Sequence, residues 1–160
     1  MHRCRETTWR CNTVSSNDST GAAGARPRSE VWKTAVTTLQ DVKPPFIPEN
    51  ASGMTILVEW PPGDPGTPAH RHSGPAFGYV LEGEMRFELE GEPERVVGAG
   101  ETFWEPGGDV IHYQDGNART DARCRFVVTM LCAPGQPMLT VVDEEELAQR
   151  AHLRAPRPAH

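Results

Sequence analysis

His70 and His72, separated by one residue, and His112, about forty residues further on, are the side chains whose type and spacing most directly suggest chemistry. In an extended strand alternate side chains share a face, so His70 and His72 project together while Arg71 points away. Imidazole is the commonest metal-binding side chain near neutral pH. Three of them converging on one point would hold a divalent metal and leave coordination positions open. The other histidines, His2, His152 and His160, fall in the terminal segments.

The rest of the chain must position that trio. A chain of 160 residues has room for one domain with a hydrophobic core. Its net charge of −6 is uneven. Residues 1–30 carry five Arg against three acids, whereas residues 31–150 carry nine basic against nineteen acidic side chains. A body this acidic is a poor partner for nucleic acid, which needs a basic face. No run approaches the length of a membrane span, and the N-terminus lacks the apolar segment of a secretory signal. Residues 1–30 are rich in Arg, Ser and Thr, but they cannot form an amphipathic face and read as a disordered tail. Cys124 and Cys132, on one expected strand, lie too far apart to bridge. Cys4 and Cys11 lack the spacing of a metal knuckle. Reduced thiols and a cytoplasmic location are the expectation.

From residue 31 onward, short apolar runs are broken by Gly and Pro about every ten residues, the spacing of an all-β sandwich or barrel. Strands are predicted near 34–41, 54–60, 77–82, 84–90, 94–97, 102–105, 110–114, 122–132 and 138–142. The turn signals Glu82-Gly83-Glu84 and Glu90-Gly91-Glu92-Pro93 predict successive hairpins. One helix is expected after Asp143, a suitable N-cap followed by Glu144, Glu145 and Glu146, with Glu146 and Arg150 four residues apart. The expected organisation is a tail over 1–30, a barrel over 31–142, and a short helix with a frayed end over 143–160.

Two stretches resemble the paired motifs of the cupin superfamily. The first runs from Pro61-Pro62-Gly63 through His70-Arg71-His72 to Gly78-Tyr79-Val80-Leu81-Glu82-Gly83-Glu84. The second is Gly100-Glu101-Thr102-Phe103-Trp104-Glu105-Pro106-Gly107-Gly108, followed by His112 and Asn117. The resemblance covers about residues 50–135. It implies a double-stranded β-helix, or jelly-roll barrel, with a metal held inside, and a homodimer. Carried over residue by residue, the implied ligands are His70, His72 and His112. The implied metal is divalent, iron(II) before manganese, nickel or zinc.

The chain departs from that pattern twice. Ala76 stands where the first motif has its Glu ligand. His112 comes one residue late, which Gly107-Gly108-Asp109 could absorb through an unusual turn; otherwise Ile111 takes the ligand position. A site of three neutral imidazoles keeps the full charge of the cation and should favour an anionic small-molecule ligand. Ala76, Gly78 and Val80 share one strand face, so losing the Glu should open space beside the metal. Gln114 should share a face with His112 and could act as a weak fourth donor. Glu59 and Glu105, the acids nearest the motifs, are expected at exposed strand edges, although a partly buried acid there could serve as a general base.

The function expected is metal-dependent chemistry on a small anionic molecule, with three-histidine iron dioxygenases as the mechanistic analogy. The alternatives are a zinc or manganese isomerase or lyase, and a barrel that binds small ligands without turnover. There is no Ser-His-Asp order and no phosphate-cradling loop.

Overall fold

A computed structural model describes residues 34–156. The tail over 1–30 lies outside the described residues, as do Cys4, Cys11, His2 and His160. The strands and the helix all belong to the compact unit that begins at Thr37.

Among the described residues, alternating apolar and polar side chains make nine strands, which fold as a jelly-roll barrel with a short C-terminal helix. One sheet has the order β1-β8-β3-β6, with β1 Ser52–Trp60, β3 Ala76–Glu82, β6 Thr102–Glu105 and β8 Cys124–Cys132. The other has the order β5-β4-β7-β2-β9, with β2 His70–Arg71, β4 Glu84–Leu89, β5 Arg95–Gly98, β7 His112–Gln114 and β9 Thr140–Val141. All the pairings are antiparallel. β8 shows the period of two plainly, with Cys124, Phe126, Val128, Met130 and Cys132 buried and the residues between them partly exposed. These inward side chains meet Val80, Met85 and Phe87 to form the core between the sheets.

Two expectations are corrected. The run 34–41 forms no strand. Its carbonyl at Leu39 accepts from Thr102 Oγ1, and Gln40 Nε2 donates to the Phe103 carbonyl. Residues 39 and 40 thus meet β6 through side-chain bonds instead of a backbone ladder, and Leu39 is exposed. The second correction concerns the turn at Gly83. β4 and β5 do form a hairpin, but β3 and β4 belong to different sheets. The chain crosses between sheets at Gly83, whose φ is 79° and where a Cβ would sit 2.3 Å from the Arg123 carbonyl oxygen. Only glycine accepts both the left-handed backbone and that approach.

The helix α1, Glu144–Arg150, starts at Asp143, whose side chain accepts from the Glu146 N–H at 2.8 Å. It packs Leu147 against a second apolar cluster of Ile111, Tyr113 and Val142. No helix among the described residues is long and apolar enough to cross a membrane.

Candidate metal centre

His70 stands on β2 directly opposite His112 on β7, and His72 lies just beyond the end of β2. The ring centroid of His70 is 5.0 Å from those of both His72 and His112. All three side chains are buried. The late position of His112 is absorbed as the glycines allow: Gly107 and Gly108 both take left-handed backbone, at φ 70° and 68°. The Gly108 N–H donates to the His72 carbonyl at 2.8 Å, tying the two motifs together. Ile111 consequently points away from the histidines and into the cluster under α1.

The carboxylate missing from the first motif is supplied by another strand. Glu105, at the end of β6, is 5% exposed, and its Oε2 lies 3.3 Å from His72 Nε2 and 3.0 Å from His112 Nδ1. The expectation of an exposed strand-edge acid is therefore overturned for Glu105, although Glu59 does sit at the surface paired with Arg125. The reason lies in the register. Glu105 pairs across the sheet with Ala76, and Phe103 pairs with Gly78. Directly opposed residues put their side chains on the same face, so Glu105 enters the barrel over the small side chain of Ala76. The space expected beside Gly78 is not open either, because a Cβ there would lie 2.0 Å from the Phe103 ring.

Second partners fix the rings. His70 Nδ1 lies 2.8 Å from the Pro68 carbonyl, and His72 Nδ1 lies 2.7 Å from that of Met138. A carbonyl only accepts, so each Nδ1 carries a proton, and in the neutral ring Nε2 keeps its lone pair for another partner. Both ring nitrogens of His112 are buried without an aligned hydrogen-bond partner among the described residues. One donor atom from each of His70, His72, Glu105 and His112 falls within 4.8 Å of the others. Metal bonds of about 2.1 Å place adjacent donors about 3 Å apart, close to the two Glu105 distances. The donor set fits a divalent metal.

Gln114 does not join this group, since its Nε2 donates to the Pro65 carbonyl at 3.2 Å. Asn117 has a structural part, donating to the carbonyls of Pro61 and Ala122. Asp115, between His112 and Asn117 but not itself a signature position of the second motif, is buried and lines the same cavity as the histidines. That cavity has a volume of about 140 Å³, and its remaining wall includes Ile56, Val58, Trp60, Phe126 and Met130.

Charge in the metal-free cluster is shared between acid and bases. Burial pulls His72 and His112 down, but the Glu105 carboxylate more than offsets this and leaves both above their ordinary value. Burial pushes Glu105 up, yet His112 and His72 hold it well below the usual carboxylate range. His70 is lowered, by burial and by His112. The two raised histidines stabilise the fold fully below the ordinary value of 6.5 and lose that contribution as pH rises through their raised values. Glu105 contributes above its ordinary value of 4.5 and ceases to as pH falls toward its depressed one. His70 acts in the opposite sense to its neighbours, one against two. Metal-free protein should therefore melt highest between about pH 4.5 and 6.5 and lower at pH 8. Thermal melts after chelator treatment check this; a melting point that rises steadily to pH 8 would contradict it.

The two antiparallel sheets closing around a buried His/Glu cluster define a jelly-roll barrel with a candidate metal centre. Residues 56–130 match the family model Cupin_2, described as a cupin domain. No curated protein shows significant sequence similarity to it. Among solved structures, a cupin protein from Bacteroides fragilis is 18% identical, with 57% of this chain and 78% of that one covered at a TM-score of 0.43. A cupin-like protein from Thermotoga maritima is 24% identical over 61% of this chain and 72% of its own, at 0.46. An oxalate oxidase is 30% identical over 56% of this chain and 46% of its own, also at 0.46.

Proposed function

We propose that His70, His72, His112 and Glu105 hold one divalent transition metal, and that the protein carries out metal-dependent chemistry on a small organic molecule in the adjoining cavity. The observation that carries this is the convergence of four buried donors at the wall of an otherwise largely apolar chamber. A mixed imidazole and carboxylate set suits iron(II), manganese(II) or zinc. Such an ion supplies Lewis acidity, and iron(II) adds oxidation chemistry, so an oxygenase is the leading reaction with iron and an isomerase or lyase with the others. The protein's own part is to orient His70 and His72 through the Pro68 and Met138 carbonyls and to exclude bulk water. Preference for an anionic ligand was expected of a site without a carboxylate, and Glu105 removes that premise.

The test is elemental analysis of untagged protein, with anaerobic reconstitution by iron, manganese and zinc in turn. About one metal per chain is expected, lost in a His70→Ala, His72→Ala double variant. Wild-type protein that retains none of the three ions after desalting would overturn the reading in favour of a metal-free ligand-binding barrel.

A further inference from the structure

The cavity holds a second carboxylate that is not one of the four clustered donors. Asp115 is 8% exposed and lines the chamber together with His70 and His112. Its Oδ1 accepts from the Thr67 N–H at 2.6 Å. It also lies so close to Gly66, whose φ is 76°, that a Cβ there would stand 2.4 Å from Oδ1. The loop before β2 is thus shaped around this one side chain, which is built in rather than swung in from the surface.

Size and charge then narrow the ligand. An apolar cavity of about 150 Å³ takes a benzene ring, and this chamber is about 140 Å³ with Trp60, Phe103 and Phe126 in its wall. Apart from the histidines, the ionisable side chains lining it among the described residues are Glu105 and Asp115. Two carboxylates balance a dication, so a further anion gains no net attraction from the site. By the same balance an ammonium group gains no net attraction either, and either ion loses its hydration on entry. A neutral hydroxyl has less hydration to lose and can donate to a carboxylate.

We propose that Asp115 determines specificity by accepting a hydrogen bond from the hydroxyl of an uncharged, ring-sized molecule, and that the chamber discriminates against carboxylates. This rests on the metal reading for the charge balance, but Asp115 itself needs no metal to accept the bond. The probes are phenol, anisole and benzoate, which share a ring and differ in its polar group. Binding is measured by calorimetry to zinc-loaded and to metal-free protein, with the zinc content of each sample determined beside it.

In zinc-loaded wild type, phenol should bind about tenfold tighter than anisole, and tighter than benzoate. The preference over anisole should persist without metal and vanish in Asp115→Ala. Asp115→Asn keeps an oxygen for the Thr67 N–H and should gain affinity for benzoate. Its circular dichroism and zinc content serve as the folding control. The proposal is overturned if benzoate outbinds phenol, if the phenol preference survives Asp115→Ala, or if none of the three binds at millimolar concentration. Absence of zinc from reconstituted wild type, with the phenol preference intact, would instead sink the metal reading and leave the role of Asp115 standing.

Discussion

Glu105→Ala should lower metal affinity by about 100-fold or more, and adding Ala76→Glu to that variant should recover most of the loss. Removing partners that only orient a ligand costs about 10- to 100-fold, so deleting a donor should cost at least the upper end. Recovery follows from sheet geometry. Residues 76 and 105 are directly paired between β3 and β6, and opposed side chains share a face with Cβ atoms about 5 Å apart. A carboxylate grown from residue 76 therefore enters the same chamber from the neighbouring strand. Ala76→Glu alone should behave differently. Residue 76 is fully buried, and two facing carboxylates would crowd and repel, so the single variant should lose stability. Competition with a chromophoric chelator gives the affinities. A double variant no better than Glu105→Ala would show that the two positions do not reach a common point.

The same pair shows where the sequence was readable and where it was not. Period-two alternation and the turn residues gave most strands, because a half-buried strand writes its inward face directly into the sequence, as β8 does. His70 and His72 follow the same rule, with Arg71 turned outward to Glu146 on α1. What alternation does not encode is which strands lie side by side. Placing Glu105 inside required knowing that β6 pairs with β3 in the register that sets it opposite Ala76. One local signal was available: Phe103 and Glu105 share a face of β6, and a face carrying Phe103 is an inner one. The Gly83 turn misled for a related reason. A glycine at positive φ permits a hairpin or a crossing between sheets equally well, and only the later partner β8 decides. Asp115 had no local signal, since it follows the end of β7 and is held by Thr67, 48 residues earlier.

Arg154→Ala should destabilise the protein by about 3 to 5 kcal/mol, the cost of leaving a buried charge without its partner. Glu88 on β4 is 1% exposed, and both its oxygens accept from Arg154, each at 2.5 Å. Arg154 also lies over the Tyr113 ring at 4.6 Å, adding a smaller cation–π attraction. The large effect belongs to the stranded carboxylate and not to the pair itself. Replacing both residues by apolar ones of similar length, Glu88→Met with Arg154→Met, should bring stability back to within about 1 kcal/mol of wild type. Urea denaturation distinguishes the outcomes: equal losses in the single and double variants would mean that the C-terminal segment acts by packing rather than by charge. The loss should also reach the metal centre. β2 is only two residues long, and it carries His70 between β7 and β9. Its outer side is held by Arg71 to Glu146, while Arg150 binds Glu90 and Asp109. The C-terminal segment is therefore a clamp on the strand that presents a ligand. Freed of Arg154, that strand should hold His70 less rigidly, and zinc affinity should fall modestly in the single variant and recover in the double.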